Sequence, residues 1–286
     1  MDASRVEHAA AGPVPALPPN EGLARRLSGS PLLIALDIDG TLAPIASTPA
    51  GAAVPATTLQ TLGRLTGLRG VQLAFVTGRS APDGRRMVDL PRTRVIGNHG
   101  IEWIELDGTL RVNEAAREAA PRIAQAAEML SERLRKINGA LVEDKRWTLS
   151  VHFRLTAPAD RPRIEQELDD VARRLDLRVT HGKQVYELRP RLAITKGTAI
   201  VELAEKLGID KGSGSLFYAG DDRTDEDAFR ALRELDADAV TVHVGGEPPG
   251  GAVTAAEFIV PDPPGLRELL DWLVVERDGP TPGSDP

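Results

Sequence analysis

Two aspartates, Asp37 and Asp39, stand one residue apart at the end of the apolar run Ile34 to Thr41, IALDIDGT, with Gly40 and Thr41 directly behind them. Asp-Gly commonly marks a turn, which would account for Asp39 alone. It does not account for the second carboxylate. On an extended chain, side chains two residues apart point the same way, so Asp37 and Asp39 converge on one small volume. Both are ionised there at low cost only if a cation or a shared proton lies between them. That is the chemistry of a site rather than of a turn.

Three other segments end in residues that can do chemistry. They read TGRS at 77–80, GNHG at 97–100 and GDDRTDED at 220–227, and a fifth piece, Lys196 in ITKGTA, opens a helical pattern. Each of the first three follows a short apolar run. Ligands of open α/β sheets bind beyond the carboxyl ends of the strands, so these loops are expected to cluster around Asp37.

Five strand candidates supply those ends: 31–38, 71–77, 93–98, 215–220 and 239–245. Most are apolar throughout rather than alternating, as in a parallel sheet covered on both faces by helices. Helical patterns such as TTLQTLGRLTGL and TKGTAIVELAEKLGI separate several of them. The fold class is therefore α/β, a doubly wound parallel-sheet core.

The middle of the chain breaks that repeat. A helical face of Ile123, Leu130, Leu134 and Ile137, capped by Asn113 and stopped at Gly139, is followed by ALVEDK and WTLSVHFR, which read as a hairpin. A second helix on Ile164, Leu168, Val171 and Leu175 and a second hairpin, LRVTHGKQVYEL, complete an αββαββ order. In WTLSVHFR, Trp147, Leu149, Val151 and Phe153 alternate with Thr148, Ser150, His152 and Arg154, so one sheet face is covered and the other open. This predicts an α+β lid domain at 108–188, inserted between core segments 29–107 and 189–275. Residues 1–28 and 276–286, rich in Ala, Pro and Gly, read as a flexible N-terminal arm and a C-terminal tail.

Composition removes whole classes of function. The chain of 286 residues has no cysteine, which excludes disulfides, thiolate zinc sites and cysteine nucleophiles. Its formal net charge of −7 argues against a nucleic-acid partner. No stretch is long and apolar enough for a membrane span and the N-terminus lacks a signal pattern, so the expected compartment is the cytoplasm. An anionic substrate would need local Lys, Arg or metal to hold it.

DxDGT, a strand-ending threonine, a lysine opening a helix and GDDxxD, in that order, resemble the haloacid dehalogenase superfamily of phosphotransferases. Within it, TGR, GNHG, the VEDK and SVHFR pair, YELRP and GDDRTDED resemble the trehalose-6-phosphate phosphatase family over about residues 30–275. The resemblance implies a cytoplasmic Mg²⁺-dependent phosphoric monoester hydrolase of trehalose biosynthesis. Its substrate would be a phosphorylated disaccharide, with the synthase of that substrate as a separate, transient partner.

The residues fit that chemistry one by one. Asp37 suits the nucleophile of an aspartyl-phosphate route, which splits one difficult hydrolysis into two easier steps. Asp39 suits the group that protonates the leaving sugar oxygen and then activates water. Asp221, with the Asp37 side chain and the Asp39 backbone carbonyl, forms an oxygen-only donor set that suits Mg²⁺. Asp222 and Asp225 would support that shell or orient Lys196; for Asp225 the alternative is N-capping of the helix before EDAFRAL, and the two roles are compatible. Thr77 and Lys196 would hold phosphate oxygens, while Thr41 tightens the turn.

Arg79, Asn98 and His99 occupy core loops facing the lid and are candidates for sugar hydroxyls. The resemblance adds Glu143, Lys145, Lys183 and Glu187 from the lid hairpins as sugar contacts. His152 and Arg154 also match family positions but read as structural. The alternatives are a phosphatase for sucrose phosphate or a glycosyl phosphoglycerate, a phosphomutase on the same core, and a catalytically silent sugar-phosphate sensor.

Overall fold

The computed structural model describes residues 14–46, 48–182, 184–209, 213–235, 237–245 and 253–279. In chain order the first half runs β1 (Val14–Pro15), α1 (Glu21–Arg26), β2 (Leu32–Leu36), α2 (Ala56–Gly67), β3 (Val71–Val76), α3 (Ala81–Val88), β4 (Arg94–Gly97), β5 (Glu102–Ile104) and β6 (Leu110–Val112). Then follow α4 (Glu114–Leu134), β7 (Leu141–Asp144), β8 (Leu149–His152), α5 (Arg161–Arg174), β9 (Leu177–Gly182) and β10 (Val185–Pro190). The chain closes with α6 (Lys196–Lys206), β11 (Ser215–Gly220), α7 (Arg223–Glu234), β12 (Asp238–Val244), β13 (Phe258–Val260) and α8 (Pro263–Asp278).

The main sheet has the order β1-β13-β12-β11-β2-β3-β4-β5-β6. It is parallel from β1 across to β4, and antiparallel at β4/β5 and β5/β6. Both faces are covered, which is why β2 has no polar residue. Leu32, Ile34 and Leu36 pack into one core while Leu33 and Ala35 pack into the core on the opposite face. From β2 the chain builds outward to β3 and β4, then returns to build β11, β12 and β13 on the other side. The β2/β11 boundary is thus the topological switch point, and Asp37 and Asp221 follow directly from those two strands.

The second sheet, β7-β8-β10-β9, is antiparallel throughout. Leu149 and Val151 from β8 and Tyr186 and Leu188 from β10 join Ile123, Leu130, Ile164 and Leu168 in a separate core. The alternate residues on those strands, among them Ser150 and Glu187, face the other way, into a cleft beside Asp37. Period-two alternation therefore places the polar row on the site side.

Three expectations are corrected. Residues 14–28 do not hang free: Val14 and Pro15 pair with Phe258 and Ile259, Leu23 and Leu27 join the main core, and Arg26 bridges Asp238 and Glu257. A two-residue parallel pairing across most of the chain leaves no local signature in a Pro- and Ala-rich segment. The C-terminal tail likewise begins later than 276, because α8 continues to Asp278. At the lid entrance, β6 pairs with β5 and extends the main sheet, so the separate α+β unit starts with α4. Among the described residues no helix is long and apolar enough to cross a membrane.

Candidate active site

Asp37 is buried where β2 ends, its backbone N–H donating to Ala219 of the neighbouring strand at 3.0 Å. The Lys196 ammonium, at the first residue of α6, donates to Asp37 Oδ1 at 2.7 Å and to Asp225 Oδ1 at 2.8 Å. Thr41 donates to the other Asp37 oxygen at 3.3 Å, the turn-tightening role expected of it. Thr195 caps α6, which fixes the start of the helix and with it the position of Lys196.

Asp221, Asp222 and Asp225 share one device. Asp222 is the N-cap of α7, and Asp225 Oδ2 accepts the backbone N–H groups of both Asp221 and Asp222 at 3.0 Å. Tyr218, in the buried strand β11, donates to Asp225 Oδ1. The N-cap expected at Asp225 is Asp222 instead; Asp225, three residues on, completes the capping box by accepting the Asp222 N–H and also meets Lys196. Gly40 is required here because a Cβ at its φ of 86° would sit 2.2 Å from the Asp221 carboxylate.

Carboxylate oxygens of Asp37, Asp221 and Asp225 lie within 4.8 Å of one another, and all three residues are buried. Burial raises Asp37 well above the usual carboxylate range and Asp225 to about 7, with Lys196 pulling both down. Burial works against the Lys196 charge, but Asp225 and Asp37 outweigh it and hold the lysine protonated. One ammonium against three carboxylates leaves an excess of negative charge. Oxygens of Asp37 and Asp221, which line the cleft, fit a hard divalent cation.

Asp39 lines the same cleft as Asp37, as the period-two expectation required. Its carboxylate is gripped by Arg79, Nε to Oδ2 at 2.6 Å and Nη2 to Oδ1 at 2.7 Å. Arg79 also reaches Asp83 at 3.2 Å, so its first role is to position Asp39 rather than to meet a sugar. Thr77 is buried at the end of β3 and its Oγ1 accepts the Arg79 backbone N–H at 3.1 Å.

The remaining candidates divide. His99, Glu143, Lys145 and Glu187 line the cleft with Asp37 and Asp39. Asn98 does not: it is fully buried, donating to Glu102 at 2.8 Å and accepting from Thr148 at 2.6 Å. With Glu102 also accepting from Ala81 and Trp147, Asn98 ties the core loops to the lid. Lys183 lies outside the described residues. His152 and Arg154, read as structural from sequence, are on the cleft wall, and His152 meets Glu143 at 2.7 Å. Their β8 neighbour Ser150 also lines the cleft; the WTLSVHFR alternation puts it on that face with His152.

Glu187 is the hub of the lid side. Its Oε1 accepts from Lys145 at 3.0 Å and from Ser150 at 3.3 Å, and its Oε2 lies 2.9 Å from His99 Nε2. Lys145 also donates to the Gly78 carbonyl at 3.0 Å, linking lid to core. Although burial opposes its charge, Lys145 and His99 hold Glu187 well below the usual carboxylate range.

His99 is neutral here. Burial first, then the nearby Arg189 charge, lower it to about 4 against the pull of Glu187. Nδ1 is buried without a partner, so a second ring proton would have no acceptor. A folded pKa below the unfolded 6.5 means stability is lost as pH falls, since the unfolded chain takes up the proton first. Asp37 and Asp225, raised by burial, gain stability as pH falls over the same range, so the His99 contribution is read as a difference between two chains. The urea-unfolding stability of wild type minus that of His99→Asn, which tolerates the left-handed φ of 58° at this position, should fall by about 2–3 kcal/mol between roughly pH 6.5 and 4.5.

The profile of the family described as Trehalose-phosphatase matches residues 35–264. A trehalose-phosphate phosphatase of Mycobacterium avium is 36% identical over 254 residues, which cover 88% of this chain and 64% of that protein. The chain thus spans just under two thirds of that relative's length. Among solved structures, one described as a trehalose-6-phosphate phosphatase related protein superposes with TM-score 0.74 at 27% identity, covering 85% of this chain and 97% of the other. The C-terminal domain of the Candida albicans trehalose-6-phosphate phosphatase superposes with TM-score 0.75 at 23% identity, covering 93% and 99%, and shares the fold. By the extent of the profile match and by the site it encloses, this chain belongs to the trehalose-phosphatase family.

Proposed function

We propose that the chain hydrolyses trehalose 6-phosphate to trehalose and phosphate, with Asp37 as nucleophile and Asp39 as acid and base. The observation that carries this reading is the shared cleft: Asp37, Asp39 and Lys196 on the core side face Glu143, Lys145 and Glu187 on the lid side. A phosphate at Asp37 then leaves its sugar within reach of the charged lid groups.

The side chains divide the work. Lys196 holds Asp37 by Oδ1, and Oδ2, which accepts the long 3.3 Å bond from Thr41, keeps a lone pair to attack phosphorus in line while Thr77 and Lys196 bind the non-reacting oxygens. Arg79 aims Asp39 through two bonds and slackens as that carboxyl carries the proton to the sugar oxygen. Asp39 then takes a proton from the water that cleaves the aspartyl-phosphate. Mg²⁺, held by Asp37, Asp221 and the Asp39 carbonyl, would supply charge neutralisation for the phosphate. Asp222 and Asp225 keep the loop that carries Asp221 in place.

The lid reads the sugar. Lys145→Ala is expected to cut kcat/KM for trehalose 6-phosphate by about 1.5–3 kcal/mol, the range for lost charge-assisted hydrogen bonds. Turnover of p-nitrophenyl phosphate, which has no sugar, should stay within about threefold. Equal losses on both esters would mean that Lys145 acts through its bond to Gly78 and sets the lid position. Phosphate release from a panel of trehalose, sucrose, glucose and glycosyl-glycerate phosphates tests the substrate itself, and preference for any ester but the first overturns it.

A further inference from the structure

Arg189 follows Glu187 by two residues in β10, so both side chains leave the lid sheet on the face opposite Tyr186 and Leu188. Directly across from Arg189 on β9 stands Arg178. Like charges opposite one another on a sheet destabilise the pairing. Arg189 is only 5% exposed, and its Nη2 and the Nε of Arg178 are buried with no hydrogen-bond partner.

The neighbouring acids are already committed. Glu187 is held by Lys145 and His99, Asp222 caps α7, and Asp227 pairs with Arg230. Burial lowers the Arg189 pKa, with Glu187 resisting and Arg178 adding to the effect. Burying guanidinium nitrogens without hydrogen-bond partners is costly, and the fold does so on two arginines at one spot, one of them a buried residue.

Both arginines border a cavity of about 700 Å³ that also touches Arg223. Lys196, Asp221 and Asp222 form part of its wall and part of the catalytic cleft as well. We propose that Arg178 and Arg189 form a second oxyanion site, binding a phosphate group beside, and separate from, the position that Asp37 attacks. Paired guanidinium forks match the oxygens of a tetrahedral anion, which turns their mutual repulsion into a clamp. The anion has two sources: phosphate released at Asp37, leaving across the shared wall, or a phosphate monoester from solution. Only the first depends on the phosphatase reading.

The test is thermal unfolding of the full chain, loaded with Mg²⁺ and titrated with inorganic phosphate, with glucose 6-phosphate in a parallel arm. Wild type has both positions and Arg189→Gln only the catalytic one. At phosphate about a hundredfold above the dissociation constant, the second site adds on the order of 5 °C to the wild-type shift. Arg189→Gln and Arg178→Gln should lose that increment, Arg189→Lys should keep part of it, and the exposed Arg174→Gln should keep all of it. Without phosphate the two Gln variants should melt at or above wild type, since a repulsion has been removed. Should Arg189→Gln not fold, the part-exposed Arg178→Gln carries the same comparison. A shift by phosphate alone identifies the released product, and an equal shift by glucose 6-phosphate identifies a monoester. Equal phosphate shifts in wild type and both Gln variants overturn the site, whether or not the chain proves to be a phosphatase.

Discussion

Asp37→Asn is expected to fold as wild type does and to lose at least about a thousandfold in kcat, roughly 4 kcal/mol of transition-state stabilisation. The amide keeps the oxygen that accepts from Lys196 at 2.7 Å but has no lone pair of useful nucleophilicity to offer phosphorus. Its effect on stability should run the other way. Asp37 is raised well above its unfolded value by burial, so its ionisation opposes folding at every pH above that unfolded value. Replacing it leaves two carboxylates for one ammonium, and the metal-free melting temperature should hold or rise. Burst kinetics and a melting curve on the same sample make the check. A folded variant that keeps a tenth of wild-type turnover removes Asp37 from the nucleophilic role. Asp39→Asn should also be crippled but can still accumulate a phosphoryl-enzyme.

Excess chelator is expected to reduce turnover below about 1%, Mg²⁺ to restore it, and Ca²⁺ to fail or inhibit. The cause is the charge count at the floor of the cleft, where Asp37, Asp221 and Asp225 surround the single Lys196. A phosphate brought to that position without a cation adds negative charge where it is already in excess. Ca²⁺ has a larger and looser oxygen shell, which misplaces the attacking carboxylate. Chelation should lower the melting temperature of wild type, and Mg²⁺ should raise it less in Asp221→Asn. Full turnover in chelator would remove Asp221 from its metal-binding role.

Lid and core were legible for different reasons. The parallel strands announce themselves because burial on both faces demands unbroken apolar runs, as in Leu32–Leu36. The lid hairpins announce themselves because one face is open, so Leu149 and Val151 alternate with Ser150 and His152. β5, β6 and β13 escaped notice because each has three residues, too few for a period to show. β1 escaped because its pairing partner lies near the other end of the chain.

At the site, the sequence by itself determined which groups come together in the cleft. Asp37, Asp39, Lys196 and Asp221 each follow a strand or open a helix, and strand order with polarity puts such residues at one sheet edge. What only the tertiary structure decided is how the polar groups share their bonds. Asn98 reads as a cleft residue but faces inward, since a left-handed backbone at Asn98 and His99 turns successive side chains to different sides. Arg79 reads as a candidate for sugar hydroxyls and is engaged by Asp39, and Glu187, a sugar contact by resemblance, gathers His99, Lys145 and Ser150. Residue type states what bonds a side chain can make. Which of them it makes depends on neighbours tens of residues away, and folding alone brings those within hydrogen-bond reach.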